Sequence, residues 1–283
     1  MDTRNYYETN GYVVCPNLVS TALIDKLVSL YKEQIVTSKE PFFRQMTNRY
    51  EPNELTEFGY VKQDFLDVHN YKNFPEFSTA VKEIICSDAL QSTLKQITGS
   101  NSLNLMQSLI FDVNRETLAH HDAYYLDSDP AGRALAVWIA LEDIDEKAGR
   151  FYVVPKSTDV EVPSTNHWEW MSSMHKYFEA NLKDKIEAPA LKKGDAIFWN
   201  ARLIHGALPI LDPSFSRKSL TAHFIPAEYK YQTPFMTKAY EELEPYKGVK
   251  IYSSTVITSS EWTTKHLFDG NNGQKWGEVN ASQ

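Results

Sequence analysis

The feature that most constrains the fold is a series of short apolar segments that begins at Leu103 and is rich in Val, Ile, Phe, Tyr or Trp. The segments span residues 103–111, 135–141, 150–155, 195–199 and 218–225. Turn sequences such as Asp129-Pro130-Ala131-Gly132 separate them. Several short strands with turns between them are typical of a β-sandwich or jelly roll. We therefore predict a mainly β fold with a core of this type.

Helices are predicted to flank the β-core. Apolar residues recur at helical spacing over residues 23–31. Further helices are predicted near residues 76–85, 88–98 and 167–182. Because the chain has neither an internal repeat nor a linker, we predict one domain over residues 1–283. Its parts are an N-terminal helical and loop region (1–100), the β-core (101–226) and a C-terminal extension (227–283).

Composition and charge argue against several kinds of partner. The chain has 29 Lys and Arg against 37 Asp and Glu, a net charge of -8, which repels the phosphate backbone of nucleic acids. No window approaches the roughly 18 apolar residues of a membrane-spanning helix, and the N-terminus lacks the apolar core of a signal peptide. Two cysteines build no disulfide framework. We predict a cytoplasmic protein that binds neither nucleic acid nor membrane, and the sequence leaves its oligomeric state open.

The tripeptide His120-His121-Asp122 is the strongest candidate for a metal site. Side chains alternate faces along a strand, so His120 and Asp122 can bind one metal ion while His121 points elsewhere. His205 is the best third ligand, because it follows a turn and a strand and precedes Gly206, which permits close backbone approach. Two imidazoles and one carboxylate leave three positions of the ion open, an arrangement that suits the iron(II) of non-haem oxygenases.

A second candidate group lies in the segment 217–224. Its polar members alternate with Lys218 and apolar residues, so we expect Arg217, Ser219, Thr221 and His223 to share one face of a strand. A guanidinium group binds a carboxylate through two parallel hydrogen bonds. Arg217 is therefore predicted to bind the distal carboxylate of 2-oxoglutarate, with Ser219 or Thr221 assisting.

The order of these motifs resembles the phytanoyl-CoA dioxygenase family of iron(II)- and 2-oxoglutarate-dependent oxygenases. The matching pieces are Asn10-Gly11-Tyr12-Val13-Val14, His120-His121-Asp122, Trp138-Ile139-Ala140-Leu141-Glu142-Asp143, Gly149 with Val153-Val154-Pro155, Gly194-Asp195 to His205-Gly206, and Arg217-Lys218. The resemblance implies a double-stranded β-helix core of the jelly-roll, cupin-like type. It also implies iron(II) on the three ligands above, and 2-oxoglutarate against Arg217 with Trp138 nearby.

The resemblance also suggests residues that contact the substrate. Tyr125 falls where family members often carry an aromatic residue beside the site, and Tyr124 precedes it. Asp112 lies in a neighbourhood where the family often has a basic residue. Arg150 follows Gly149 where the family usually has proline, just before a core strand. These departures leave the metal triad intact.

We therefore expect a dioxygenase that uses iron(II), O2 and 2-oxoglutarate to oxidise, most simply to hydroxylate, an unactivated C–H bond of a small molecule. The cosubstrate is converted to succinate. Desaturation, cyclisation and epoxidation are further outcomes of the same chemistry. Two alternatives stay open: a cupin-like metal enzyme that does not use 2-oxoglutarate and does not need Arg217, and a non-catalytic binding or sensor protein on the same fold.

Overall fold

The computed structural model describes residues 2–47, 49–162, 167–232 and 238–256. The helices are α1 (Thr3–Asn10), α2 (Thr21–Leu30), α3 (Pro75–Ile85), α4 (Asp88–Thr98) and α5 (His167–Asn181). The strands are β1 (Tyr12–Cys15), β2 (Phe42–Arg44), β3 (Arg49–Glu51), β4 (Phe65–Leu66), β5 (Leu103–Phe111), β6 (Asp127–Asp129), β7 (Leu135–Ala140), β8 (Phe151–Val153), β9 (Ala196–Asn200), β10 (His205–Ala207), β11 (Ser219–Pro226), β12 (Lys230–Gln232), β13 (Lys238–Tyr246) and β14 (Val249–Val256).

The main sheet contains eight of the described strands. Its order is β1-β9-β7-β11-β5-β14-β13, and β4 pairs with β5 from outside this path. β11 lies at the centre and is antiparallel to both β7 and β5. The five apolar segments predicted from the sequence correspond to β5, β7, β8, β9 and β11.

The two faces of the main sheet pack against different partners. Leu220, Ala222 and Phe224 of β11 lie in the larger apolar cluster, together with α2, α3 and α4. On the opposite face, Trp138 of β7 and Trp199 of β9 pack against Phe151 of the short β8–β10 ladder. Because side chains alternate along a strand, one face of the sheet is covered by helices and the other by the second β-layer. The β8–β10 pair belongs to this second layer, and β6–β12 is a separate two-stranded sheet.

The sequence does not predict α1, but α2 to α5 begin and end close to where it predicts helices. Ser87 caps α4 with its hydroxyl, which accepts from the Leu90 backbone N–H at 3.4 Å. Gly99 ends α4 with a left-handed φ of 75°, a conformation that glycine adopts without a Cβ penalty. The helical periodicity of residues 23–31 continues beyond α2 as a turn of π-helix, Tyr31–Val36.

The C-terminal extension contains a hairpin that the sequence does not predict. β13 and β14 are antiparallel and join the main sheet at β5 through a parallel contact between Ile251 and Leu105. Residues 257–283 of the extension lie outside the described residues. The division into a single domain of three parts stays a prediction. Among the described helices, none is both long and apolar enough to cross a bilayer.

Candidate metal centre

The three predicted ligands meet in the second β-layer. His120 and His205 form an isolated antiparallel bridge, in which each backbone N–H donates to the other residue's carbonyl, at 3.0 and 2.9 Å. Asp122 begins a short 3-10 helix, Asp122–Tyr124. The tripeptide is therefore not a regular strand as predicted, because the chain turns at once into this helix. His121 is nevertheless extended, with φ -126° and ψ 144°, so His120 and Asp122 face the same side.

The ligand atoms converge on one point. Asp122 Oδ1 lies 3.6 Å from His120 Nε2 and 3.5 Å from His205 Nε2. One donor atom from each of the three residues lies within 4.8 Å of the others. The Nδ1 atoms of the two histidines lie 2.8 Å from the Leu118 carbonyl and 2.9 Å from the Leu203 carbonyl. A carbonyl only accepts, so the proton sits on Nδ1 and the Nε2 lone pairs face the carboxylate.

The charges at this point suit a cation. Burial opposes ionisation of Asp122, but the surrounding histidines, His205 foremost, hold the pKa of its carboxyl well below the usual range. Burial lowers the pKa of the His205 imidazole, although the Asp122 carboxylate acts in the opposite direction. An ionised carboxylate beside neutral imidazoles is the protonation state in which these groups bind a metal.

His121 is directed away from the centre. Its ring packs edge-on against Trp170 of α5, with ring centroids 5.1 Å apart and planes at 74°. Burial lowers the pKa of His121 to about 4, so this imidazole is neutral near pH 7. His121 therefore points away from the metal ligands, as the sequence predicts.

Arg217 is a buried cation for which the described residues provide no acidic partner. It immediately precedes β11, has an exposed fraction of 5%, and donates from Nη1 to the Gly149 carbonyl at 3.3 Å. Its Nε finds no hydrogen-bond acceptor among the described residues. Burial lowers the pKa of Arg217 to about 10, so the side chain is charged near pH 7. A buried charge with one carbonyl contact is costly unless an anion binds beside it.

One cavity contains both the triad and Arg217. Its volume is about 210 Å³. Apolar and aromatic side chains form most of the wall: Phe43, Met46, Leu66, Leu109, Phe111, Leu118, Tyr125, Leu126, Trp138, Phe151, Met171 and Trp199. Polar side chains on the wall, besides the triad and Arg217, are Gln45, Asp64, Gln107, Arg115, Thr117, Thr221 and His223.

Three residues predicted to lie near the cosubstrate or substrate line this cavity, namely Trp138, Thr221 and Tyr125. The centre of the Arg217 guanidinium lies 6.0 Å from the Trp138 ring. Ser219 is fully buried outside the cavity lining, and its hydroxyl has no hydrogen-bond partner among the described residues.

The other three residues predicted near the substrate lie outside the cavity wall. Asp112 instead accepts a hydrogen bond from the Val61 backbone at 2.9 Å. Tyr124 stacks on Trp170 with ring centroids 4.1 Å apart. Arg150 is half-buried and directly precedes β8, and its carbonyl accepts from the Leu208 backbone N–H at 2.9 Å.

Sequence reasoning assigned no role to two residues that contact Asp122. Trp199 donates from Nε1 to Asp122 Oδ2 at 2.9 Å. The Nε2 atom of His223 lies 3.4 Å from the same oxygen. The alternation of polar and apolar residues along β11 already places His223 on the polar face with Arg217. This is the sequence feature that could have identified His223. The contact of Trp199 has no signal in the sequence, because it joins residues that are distant along the chain.

Comparison with known proteins decides the family. The model of the family described as phytanoyl-CoA dioxygenase (PhyH) matches residues 7–219. The chain belongs to the phytanoyl-CoA dioxygenase family. Human peroxisomal phytanoyl-CoA dioxygenase is 25% identical over 251 residues, which cover 82% of this chain and 70% of the human protein. The bovine peroxisomal enzyme is 26% identical over 248 residues, with 82% and 70% covered. The family resemblance predicted from the motifs is thus confirmed.

Solved structures with the same fold include enzymes that bind iron and 2-oxoglutarate. The epimerase SnoN in complex with Fe3+, α-ketoglutarate and nogalamycin RO has a TM-score of 0.61 at 20% identity, covering 81% of this chain and 84% of SnoN. EctD from S. alaskensis with 2-oxoglutarate and 5-hydroxyectoine has a TM-score of 0.57 at 17% identity, covering 82% and 78%. The predicted jelly-roll fold class is confirmed.

Membership of the phytanoyl-CoA dioxygenase family also confirms the predicted enzyme class, an oxidoreductase of the iron- and 2-oxoglutarate-dependent dioxygenases. The predicted cofactors agree with the groups named in the solved neighbours. They also agree with the histidine and carboxylate cluster of this chain.

Proposed function

We propose that this chain binds iron(II) through His120, Asp122 and His205 and 2-oxoglutarate through Arg217, and that it hydroxylates a C–H bond of a small molecule. The observation that carries the proposal is the position of Arg217. This buried cation has no acidic partner among the described residues, and it lines the same cavity as the three ligands. A dicarboxylate that binds the metal at one end and Arg217 at the other would neutralise the charge of Arg217.

The donor set fits iron(II). Two imidazole nitrogens and one carboxylate oxygen that lie close together favour a non-haem iron site with open positions. The backbone carbonyls of Leu118 and Leu203 fix the ring orientation of the two histidines, which is the usual role of such outer contacts in metal proteins. The carboxylate argues against halogenation, because a halide needs the position that Asp122 occupies.

The groups around Arg217 fit the distal carboxylate of 2-oxoglutarate. Its guanidinium can donate two parallel hydrogen bonds to one carboxylate. Thr221 lies on the same face of β11 and also lines the cavity, so its hydroxyl can donate to the same anion. Trp138 provides a flat apolar surface beside the guanidinium. Ser219 is less suitable, because it is buried outside the cavity wall.

When bound, iron and 2-oxoglutarate supply the activation of O2, with loss of CO2 and formation of succinate, that oxidation of an unactivated C–H bond requires. The protein contributes binding, orientation and exclusion of water. The triad fixes where the metal lies, and Arg217 fixes the direction of the cosubstrate. The aromatic wall keeps the space between them dry, since Phe151, Trp138 and Trp199 pack around it.

The substrate is proposed to be a small molecule with a largely apolar body. Most side chains on the cavity wall are apolar or aromatic. The remaining acid on the wall, Asp64, already pairs with Arg115 at 3.4 Å. A strongly charged substrate would therefore meet no free opposite charge among the described wall residues once the cosubstrate is bound.

The experiment that tests the proposal is anaerobic addition of iron(II) and 2-oxoglutarate to metal-free protein, followed by visible absorption. Chelation of the keto acid to iron(II) gives a weak charge-transfer band. Arg217→Met should weaken 2-oxoglutarate binding on the order of 100-fold, because a hydrogen bond to a charged group contributes about 1.5–3 kcal/mol. Arg115→Met is the matched control, since it removes a cation of the same cavity that already has an acidic partner.

Three outcomes separate the alternatives. A band in the wild type that His205→Ala abolishes, and that Arg217→Met shifts to much higher 2-oxoglutarate concentration, supports the proposal. Iron binding without a band at saturating 2-oxoglutarate would favour a cupin-like metal enzyme of another kind. Absence of iron binding would favour a binding or sensor protein. Succinate release in the presence of candidate substrates then tests oxidation, and mass analysis of the product distinguishes hydroxylation from desaturation, cyclisation and epoxidation.

A further inference from the structure

The two oxygens of the Asp122 carboxylate have different surroundings. Oδ1 faces the Nε2 atoms of His120 and His205, at 3.6 and 3.5 Å. Oδ2 faces Trp199 Nε1 at 2.9 Å and His223 Nε2 at 3.4 Å. We propose that Trp199 and His223 are positioning residues that hold Asp122 so that Oδ1 alone is presented to the metal. This inference rests on the proposed function, because it assumes that the triad binds the metal.

Trp199 is well suited to this role because its indole N–H can only donate. Its side chain has an exposed fraction of 2% and lies on β9, where it pairs with Ala136 and Tyr12 in the main sheet. Its ring is also packed against Phe151, with centroids 5.0 Å apart. The hydrogen bond to Oδ2 thus comes from a rigid part of the core.

His223 approaches the same oxygen from another strand. It lies on β11, and its Nδ1 atom is buried without a hydrogen-bond partner among the described residues. A ring with its proton on Nε2 leaves Nδ1 as a bare acceptor and directs the N–H toward Oδ2. That tautomer is preferred, because a buried N–H without an acceptor costs more than an N–H that meets a carboxylate.

The consequence concerns the number of open positions on the metal. An ion held by these three protein donors would keep three open positions, enough for a chelating keto acid and O2. A carboxylate that used both oxygens would occupy one of these positions. With Oδ2 held by two N–H donors from β9 and β11, Asp122 contributes one oxygen and the three positions stay available.

The test measures metal binding to folded protein, with Mn(II) as a probe whose free ion is counted by electron paramagnetic resonance. Trp199→Phe and His223→Leu each remove a donor while retaining an apolar side chain. Outer contacts of this kind typically change metal affinity by about 10–100-fold, so each variant should bind Mn(II) at least tenfold more weakly. His223→Gln keeps an N–H donor and should recover part of the lost affinity.

Two comparisons separate positioning from packing. His69→Leu makes the same change as His223→Leu at a buried imidazole that hydrogen-bonds Ser108 and Tyr252 and does not line the cavity, and it should leave the Mn(II) affinity unchanged. Thermal unfolding of each metal-free variant reports packing alone. The inference is overturned if Trp199→Phe and His223→Leu bind Mn(II) as tightly as the wild type. It is also overturned if His223→Gln binds as weakly as His223→Leu.

A failure of the proposed function would look different. In that case the wild type would not bind Mn(II), or His205→Ala would bind it equally well. If the wild type binds and His205→Ala does not, the triad stands, and the two positioning residues are judged by their own variants. Because Trp199 and His223 lie on different strands, a folding defect in one variant leaves the other as a valid test.

Discussion

His120 and His205 are joined through their backbones as well as through their side chains. Each N–H donates to the other residue's carbonyl, at 3.0 and 2.9 Å, and the two ring centroids lie 4.3 Å apart. The pair therefore aligns two imidazoles before any ligand arrives, and it exists only when two distant segments of the chain have come together. Metal binding at this pair is coupled to the folded state.

The first prediction follows from that coupling. Mn(II) or iron(II) at about 100 times its dissociation constant should stabilise the folded protein by about 2.7 kcal/mol, because the ion binds the folded chain and not the unfolded one. For a chain of this size each kcal/mol raises the midpoint by about 2–4 °C. Thermal unfolding with and without metal measures the shift. His205→Ala should abolish this metal-induced shift. His175→Ala, on α5 outside the described cavity wall, should retain it. Equal shifts in both variants would contradict the assignment of His205 as a ligand.

The second prediction concerns two hydroxyls of β11. Thr221 lines the cavity and Ser219 does not, so Thr221→Val should weaken 2-oxoglutarate binding by about 0.5–1.5 kcal/mol, the usual contribution of one hydrogen bond. Ser219→Ala should leave the affinity unchanged, because the buried hydroxyl has no partner to lose among the described residues. Titration of 2-oxoglutarate into the iron(II) protein measures both. A loss on Ser219→Ala alone would reverse the assignment.

The alternation of β11 shows what the sequence can predict about this site. A period of two places Arg217, Thr221 and His223 on one face, and all three line the cavity. The same reasoning cannot distinguish Ser219 from Thr221, since burial at one end of a strand depends on neighbouring strands. The apolar segments of the main sheet were predictable because their length and flanking turns are local properties.

Other parts depend on contacts between distant residues. Tyr124 and Tyr125 are both predicted near the substrate, but after the 3-10 helix that begins at Asp122 only Tyr125 lines the cavity. The β13–β14 hairpin contains many polar residues, and its polar and apolar residues do not clearly alternate. Its strands are therefore recognised only from their pairing with each other and with β5. The hydrogen bond from Trp199 to Asp122 likewise arises from the packing of β9 against the second β-layer.

The third prediction concerns Gly149, whose carbonyl accepts a hydrogen bond from Arg217. Its φ is +73°, and a Cβ here would lie 2.1 Å from Asn114 Nδ2 and 2.5 Å from the Leu208 carbonyl. Gly149→Ala should therefore incur both left-handed strain of about 1–2 kcal/mol and overpacking of about 1–3 kcal/mol. Gly248→Ala is the control, since φ is +77° and nothing lies within 4 Å.

Urea unfolding of the two glycine variants measures the difference in their free energies of unfolding. The Gly149 variant should also bind 2-oxoglutarate more weakly, because displacement of its carbonyl disturbs the orientation of Arg217. Equal destabilisation of the two variants would show that the neighbours of Gly149 move freely, and the close packing at this position would then be unimportant for the site.

The last prediction concerns pH and the docking of the C-terminal hairpin through His69. The ring lies 2.9 Å from the Tyr252 carbonyl through Nε2 and 2.6 Å from the Ser108 hydroxyl through Nδ1. Since the carbonyl only accepts, Nε2 carries the proton and Nδ1 accepts from Ser108, so the neutral ring is satisfied. Burial lowers the pKa of His69 despite the nearby Asp67.

As pH falls through about 6.5, the unfolded chain gains the His69 proton before the folded chain does. Stability from the neutral ring is therefore present above that pH and is lost below it, with a slope of at most about 1.4 kcal/mol per pH unit. Denaturant unfolding between pH 7.5 and 5.5 should show a flatter dependence for His69→Gln than for the wild type. Other buried imidazoles contribute equally to both proteins, so the difference in slope isolates His69. Identical slopes would mean that His69 titrates alike in the folded and unfolded chains, and its neutral form would then not hold β14 in place.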